Sequence, residues 1–511
     1  MAGRRINLVL TGTALVALIA AVKLAVHLCA AARYGFFYDE LYFIACGEHL
    51  AWGYVDMPSL LPALVKLERI LFGDSLLALR LFSALAGAGT ILLTGRLARE
   101  LGGGRFAQAF AALAALVAPA SLIMNHYMSM NAIEPLLWTA AVLVVVRIVN
   151  KGNQKLWLWA GLIAGIGLNN KYSMAFIALG VVVGLVLTPE RKAFLKPWIW
   201  LAGAVAFVLI LPNVIWNAGH GFPFLELMAN IRRPGHHAVY TPLEFFILQA
   251  NMTLPANVPV WLAGLWWYLL GPGKRYRVVG YAYFVVLAIM FLPNGKVYYL
   301  LPVYPMLFAA GAVAFEGWFS RPWLRCVKPA YAVVLLVWGA VVAPLHLPLL
   351  SPETYIRYSS YLHLSPLNLT SGRSGPLPRY FAWQFGWEEM TQVVARAWQS
   401  LPPEEQSRTA ILARDYGQAG AIDLFGSKYG LPHAISGHQN YYLWGPGAWT
   451  GESVLAMGFT QRRLESCFGS VEEAGTVYHE YSLPRDHFTV YHCRNPKMPM
   501  NALWPLLKLW D

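Results

Sequence analysis

Residues 1–348 consist largely of long apolar stretches separated by short polar connections. A helix needs about 20 predominantly apolar residues to cross the hydrocarbon core of a bilayer. Stretches of that kind lie near 6–32, 76–95, 106–124, 133–149, 156–169, 172–188, 197–215, 256–271, 278–293, 297–316 and 329–348. So many apolar runs cannot share one water-soluble core. They predict a polytopic α-helical membrane protein with about 11 transmembrane helices. Composition agrees, with 57% hydrophobic and 13% charged residues, against roughly 25% charged in soluble domains. A soluble enzyme, a disordered tail and a coiled coil are thereby excluded.

The cations set the expected orientation. Arg4 and Arg5 precede the first stretch, and Arg96, Arg99 and Arg105 follow the second. Arg147, Lys151 and Lys155 follow the fourth; Arg191, Lys192 and Lys196 follow the sixth. Lys274, Arg275 and Arg277 follow the eighth, and Arg321, Arg325 and Lys328 the tenth. Cations thus fill every second connection, the positive-inside pattern of a cytoplasmic membrane protein with its amino terminus inside. Segments 34–75, 125–132, 216–255, 294–296 and the carboxy-terminal region are expected to face outward. The formal charge of +13 therefore marks topology and does not call for a nucleic-acid partner. The first stretch is too long for a signal-peptide core and reads as a span.

From about 349 charged and turn-forming residues rise. Thr409–Arg414 and Phe488–His492 read as strands, with a helix over Asp415–Ser427. This predicts an extracytoplasmic α/β domain over 349–511, behind a membrane domain over 1–348. The apolar tail Ala502–Trp510, with two Trp, is expected in the membrane interface. Cys467 and Cys493 both fall in the outward domain, where an oxidising compartment would permit a disulfide. Cys29, Cys46 and Cys326 lie in or beside spans and read as packing residues. There is no zinc-type spacing and no Walker-type loop.

The few outward charges carry the functional argument. Tyr38-Asp39-Glu40-Leu41-Tyr42-Phe43 follows the first span directly, and Gly53-Tyr54-Val55-Asp56-Met57-Pro58 follows in the same loop. Two adjacent carboxylates in an aromatic, membrane-facing segment are costly to keep ionised. Capping a short interfacial helix would use one of them; chemistry would use the pair. The second outward loop runs Asn125-His126-Tyr127-Met128-Ser129-Met130-Asn131-Ala132-Ile133-Glu134-Pro135. Glu134 there suits either a helix amino terminus or a site, and His126 reads as a hydrogen-bonded structural residue. Lys171 stands between two spans, and Lys296 stands at another outward boundary in Asn294-Gly295-Lys296-Val297-Tyr298-Tyr299. Arg232 and Arg233 share a longer loop with His220, His236 and His237. Such cations either snorkel to lipid headgroups or converge on an anionic one, above all a phosphate. Aromatics beside them suit the apolar faces of sugar rings.

At these residues the chain resembles the bacterial family 39 membrane glycosyltransferases. They belong to the C-type glycosyltransferase superfamily, which includes dolichyl-phosphate-mannose protein mannosyltransferases and lipid A aminoarabinose transferases. The first-loop segments carry most of the resemblance. Met128–Pro135, Pro212–Asn217 and Gly295–Pro302 add to it, and it spans roughly 30–315. Gly437-His438-Gln439-Asn440-Tyr441-Tyr442-Leu443-Trp444-Gly445-Pro446 is similar to tails of a bacterial subgroup. The resemblance implies a C-type glycosyltransferase fold and transfer of a hexosyl or pentosyl group from a polyprenyl-phosphate carrier, with inversion, on the extracytoplasmic face. It implies Asp39 as catalytic base, Glu40 and Asp56 as its supports or as acceptor residues, and Glu134 where many relatives carry Asp. Lys171 and Lys296 would bind the carrier phosphate with Tyr298 nearby, alongside Arg232 or Arg233. The superfamily includes metal-dependent and metal-independent members, so a divalent metal stays open. The acceptor, whether lipid, glycan or protein, stays open too. The competing class is a transporter or flippase of lipid-linked saccharides, which would place its charges near the midplane and often repeat its halves. Here the charges gather at one face.

Overall fold

A computed structural model describes residues 11–233, 240–291, 295–363, 375–449 and 451–511; Arg4, Arg5, His236, His237 and Asn294 lie outside them. A helix falls on each apolar stretch. Six are long and apolar enough to cross a membrane: Gly12–Ala30, Leu76–Glu100, Met130–Lys151, Pro197–Gly219, Val297–Trp318 and Pro322–His346. Met174–Val186 makes a seventh only if joined to Pro189–Leu195, from which it is bent by 107°. Arg105–Leu116, Trp157–Asn170, Val258–Leu269 and Arg277–Phe291 have 12, 14, 12 and 15 residues. At 1.5 Å per residue they reach about 18–23 Å, so length alone does not make each a full crossing. The helices Pro197–Gly219 and Pro322–His346 turn most of their apolar side chains outward, with Trp200, Val208, Ile215 and Val337 more than half exposed. Water would penalise such a face; hydrocarbon does not.

Small residues let these helices close up. On Gly161 a Cβ would stand 2.3 Å from the Ala202 carbonyl oxygen, and on Gly184 it would stand 2.5 Å from that of Val278. The cation-bearing connections meet at one end of the bundle. Arg147 pairs with Glu100 at 3.1 Å, Arg275 donates to the Val149 carbonyl at 3.0 Å, and the Glu316 carboxylate accepts from the Gly104 and Ala107 amides. The acidic first loop lies far from them, against the carboxy-terminal region.

That region is built on a five-stranded sheet ordered β2-β1-β3-β5-β4. Its strands are β1 (Thr409–Ala413), β2 (Ala434–Ser436), β3 (Ser453–Met457), β4 (Phe468–Val477) and β5 (Phe488–Pro496). β2, β1 and β3 run parallel, while β5 is antiparallel to β3 and to β4. The expected strands and the helix between them are present, the helix as Tyr416–Phe425 with Asp415 as its capping residue. Packing does not break at 348. One apolar core holds Val260 and Tyr304 together with Tyr380 and Phe381. A second holds Leu41, Tyr42 and Met57 together with Ile411, Ile422 and Leu455.

The segment Ala502–Trp510 is docked on the fold, with Leu506 left exposed. The chain there forms the helix Met500–Leu507, and Leu509 then bonds to Gly437 and Gln439. Gly437 permits this, since a Cβ there would collide with the Leu507 carbonyl. Trp510 is buried beside Val55 and Leu227. Cys467 and Cys493 are free thiols rather than a disulfide. Cys493 is buried in the sheet among Leu412, Val454 and Leu464, with Cys467 packed at the edge of that cluster.

Candidate functional site

The acidic pair opens a short helix, Tyr38–Glu48, and its two carboxylates part company there. Neighbouring residues on a helix point about 100° apart. Glu40 turns inward and is fully buried. It takes a two-pronged ion pair from Arg80, at 2.9 Å from Nε to Oε1 and 2.7 Å from Nη2 to Oε2. The Met128 and Phe37 amides each donate to it at 2.8 Å. Both oxygens are therefore committed, so Glu40 sits as an anchored support and not as an open acid beside Asp39. Arg80 also donates to the Ala31 and Gly35 carbonyls at 2.6 and 2.9 Å, and it meets His126 and Gln384. It ties together the end of the first span, both outward loops and the carboxy-terminal region. His126 is structural, as expected.

Asp39 faces the sheet region. Its Oδ1 accepts from the Tyr416 hydroxyl at 2.9 Å. Burial pushes its carboxyl above the ordinary carboxylate value; the Tyr416 hydrogen bond and the charges of Lys296 and His438 pull the other way, and Glu40 adds to the rise. Asp56, from the same loop, accepts from the Tyr42 hydroxyl at 2.9 Å. Burial pushes it up to about 6, with the Asp39 charge contributing. Tyr42, Tyr416 and His438 stack in series at 4.5 and 4.4 Å. They form an aromatic wall beside the two acids.

Fold placement explains the wall. Tyr416 follows β1 and His438 follows β2, so both stand at the carboxyl ends of parallel strands, where α/β sheets present their ligand-binding groups. Two glycines let the helix Tyr416–Phe425 press onto the acidic helix. A Cβ on Gly417 would strike the Tyr38 ring at 2.3 Å, and one on Gly420 would strike the Leu41 carbonyl oxygen at 2.6 Å. Asn440 then accepts from the Val55 amide at 2.7 Å, fixing the loop that carries Asp56.

The remaining candidates divide. Lys171 meets Glu134 at 2.9 Å and Asn131 at 2.8 Å, and its ammonium lies 4.1 Å over the Tyr299 ring. Ser173 donates to the other Glu134 oxygen. Glu134 lies a full turn inside the helix Met130–Lys151, so its partner is this lysine and not the helix amino terminus. Lys296 differs: among the described residues no carboxylate pairs with it, yet its charge acts on Asp39 and on Tyr299. Tyr298 packs edge-on to Tyr299 at 4.8 Å. Arg232 and Arg233 stand exposed at the end of the helix Pro223–Ile231. No group of three or more His, Cys, Asp or Glu among the described residues is arranged to hold a metal ion.

Sequence reasoning missed Arg80, Tyr416 and His438. Arg80 interrupts the apolar run Leu76–Phe82 at the end expected to face outward, and that exception to the expected positive-inside pattern was a readable signal. Deeper still, Lys23 is wholly buried in the first span and donates to the Ser121 carbonyl and hydroxyl at 3.0 Å each.

This bundle, with its carboxy-terminal sheet region, has the C-type glycosyltransferase fold. ArnT from Cupriavidus metallidurans superposes with a TM-score of 0.60 in its form bound to undecaprenyl phosphate and 0.59 in the apo state, covering 93% of this chain and 97% of that one at 16% and 15% identity. In sequence, residues 56–216 match the family described as dolichyl-phosphate-mannose-protein mannosyltransferase. The lipid A galacturonosyltransferase RgtD of Rhizobium johnstonii is 24% identical over 242 residues, 45% of this chain and 48% of that protein. The chain thus spans about half the length of the curated relative it matches. It resembles the C-type glycosyltransferases of the protein-mannosyltransferase and ArnT kinds.

Proposed function

We propose that the chain is an inverting glycosyltransferase that takes a sugar from a polyprenyl-phosphate carrier and delivers it to an acceptor on the outer face of the inner membrane. The observation that carries this reading is the buried Asp39 carboxylate held by the Tyr416 hydroxyl at 2.9 Å, within reach of the charge of Lys296, with which no carboxylate pairs among the described residues. Asp39 removes the proton from the acceptor hydroxyl or amine as it attacks the anomeric carbon. The bond from that carbon to the carrier phosphate breaks, and Lys296 stabilises the charge left on the phosphate. The Tyr416 hydroxyl orients the base, and Asp56 with Tyr42 shapes the acceptor side. Lys171 acts through Glu134 and Tyr299, holding the segment that bears Tyr298 and Lys296. Arg232 and Arg233, exposed at the end of the helix Pro223–Ile231, would add to the phosphate's attraction, with Lys296 as its main partner. A carrier that arrives through the bilayer needs no nucleotide-binding fold. The eleven-crossing, amino-terminus-inside topology belongs to the same reading, and so does the choice between hexosyl and pentosyl transfer. ArnT with undecaprenyl phosphate is support for the donor class by fold.

The test separates the two neighbouring acids. Asp39→Asn is expected to cut transfer by at least about 100-fold, the lower end of general-base contributions, with unchanged thermal stability in detergent. Glu40→Gln is expected to lower the melting temperature. Normal turnover in Asp39→Asn overturns the base assignment.

A further inference from the structure

The segment Gly437–Pro446 does more than supply His438. Its second half lines a separate cleft of about 710 Å³ between the end of the acidic helix and the sheet. That volume lies within the usual range of small-ligand sites. Trp444 stacks on His49 at 4.4 Å, and Tyr441 meets Trp444 edge-on at 4.7 Å. Trp449 lines the same cleft, its indole fixed by donation to the Ser453 carbonyl at 2.8 Å. Asp423 accepts from Tyr441 at 2.6 Å and, on its other oxygen, from the Ala434 amide at 2.9 Å. Both aromatic orientation and acid position are therefore built into the fold. Arg408 and His433 are balanced by Asp423 and Glu452 in the lining, so the cleft carries no strong sign of charge.

Broad aromatic faces suit the C–H faces of pyranose rings, and charge-balanced donors and acceptors suit hydroxyls rather than phosphate or carboxylate. We propose that this cleft binds a neutral oligosaccharide portion of the acceptor. The inference rests on the glycosyltransferase reading above and adds a second subsite to it. His49 ends the helix whose first turn holds Asp39, ten residues away and so about 15 Å along the axis. His438 and Trp444 are the two ends of one short segment. None of Asp39, Asp56, Tyr416 or His438 lines the cleft, so a glycan held at Trp444 would have to extend by about that length to reach the base.

The experiment is saturation-transfer NMR and calorimetry on the full chain in detergent, with neutral gluco-, galacto- and manno-configured trisaccharides as probes. At least one is expected to bind, at least tenfold more weakly to Trp444→Ala and to Arg408→Ala. Arg408 is exposed, so its variant tests the cleft without risk to the fold, and Trp444→Phe is expected to restore part of the affinity. Asp39→Asn is expected to bind the same sugar unchanged while transfer is lost. No binding by any trisaccharide overturns the proposal, as does binding indifferent to both cleft substitutions or displaced by inorganic phosphate. Retained transfer in Asp39→Asn would instead overturn the enzymatic reading and leave the sugar-binding result standing.

Discussion

Asp39 and Glu40 are adjacent and chemically alike, yet the fold gives them opposite tasks. Glu40 is enclosed by Arg80 and two amides, and removing one partner of such a buried pair typically costs about 3–5 kcal/mol. Asp39 keeps one hydroxyl partner and lies within reach of the charge of Lys296. Its pH behaviour follows from the groups around it: Tyr416, Lys296 and His438 favour the carboxylate, while burial and Glu40 disfavour it. A base works only when ionised, so activity falls as pH drops through its pKa. With that pKa raised, the acid limb of kcat/KM is expected above the ordinary carboxylate range. Tyr416→Phe removes a hydrogen bond that lowers the pKa, so it should move the limb to higher pH. A limb that stays put or shifts downward in this variant would show that Tyr416 does not act on the base.

Between elements, the decisive contact is the helix Tyr416–Phe425 against the helix Tyr38–Glu48, and glycine makes it possible. Gly420→Ala would press a methyl into the Leu41 carbonyl. Overpacking of this kind costs about 1–3 kcal/mol, and relief comes by moving Tyr416 away from Asp39. Transfer is expected to fall tenfold or more with the chain still folded, measured by turnover beside circular dichroism; wild-type turnover would refute the close approach. Elements were more legible in the sequence than their partnerships. Apolar runs located the helices and the short strand β1, whose five residues are all buried, and alternation over Phe488–His492 located β5. Pairing leaves no such mark: Lys171 and Glu134 read as separate site candidates yet form one ion pair. The Gly417 and Gly420 spacing was visible too, but only the facing helix gives it meaning. The packing of Trp510 on Val55 and Leu227 was not legible either, since an apolar tail carries no mark of its partner.

For the whole molecule, the cation-bearing connections and the acidic loop occupy opposite ends of the bundle. If the cationic end is cytoplasmic, cysteines introduced at Lys192 and at Arg232 in a cysteine-free chain should be labelled by impermeant maleimide from opposite sides of the membrane. Labelling from the same side would break the topology. The cores shared across 348 also mean that the sheet region and the bundle stabilise each other, so the outward region is no detachable appendage.

The hydrogen bond from Tyr416 to Asp39 joins residues 377 positions apart. Chains emerge at about 5–20 residues per second, so some 20–75 s separate the synthesis of the acid from that of its hydroxyl partner. Throughout that interval the nascent bundle holds a carboxylate without the aromatic wall that orients it. On the proposed function, a partly made copy would hold Asp39 without the hydroxyl that orients it, so the order of the chain itself would delay transfer until the last fifth has been made.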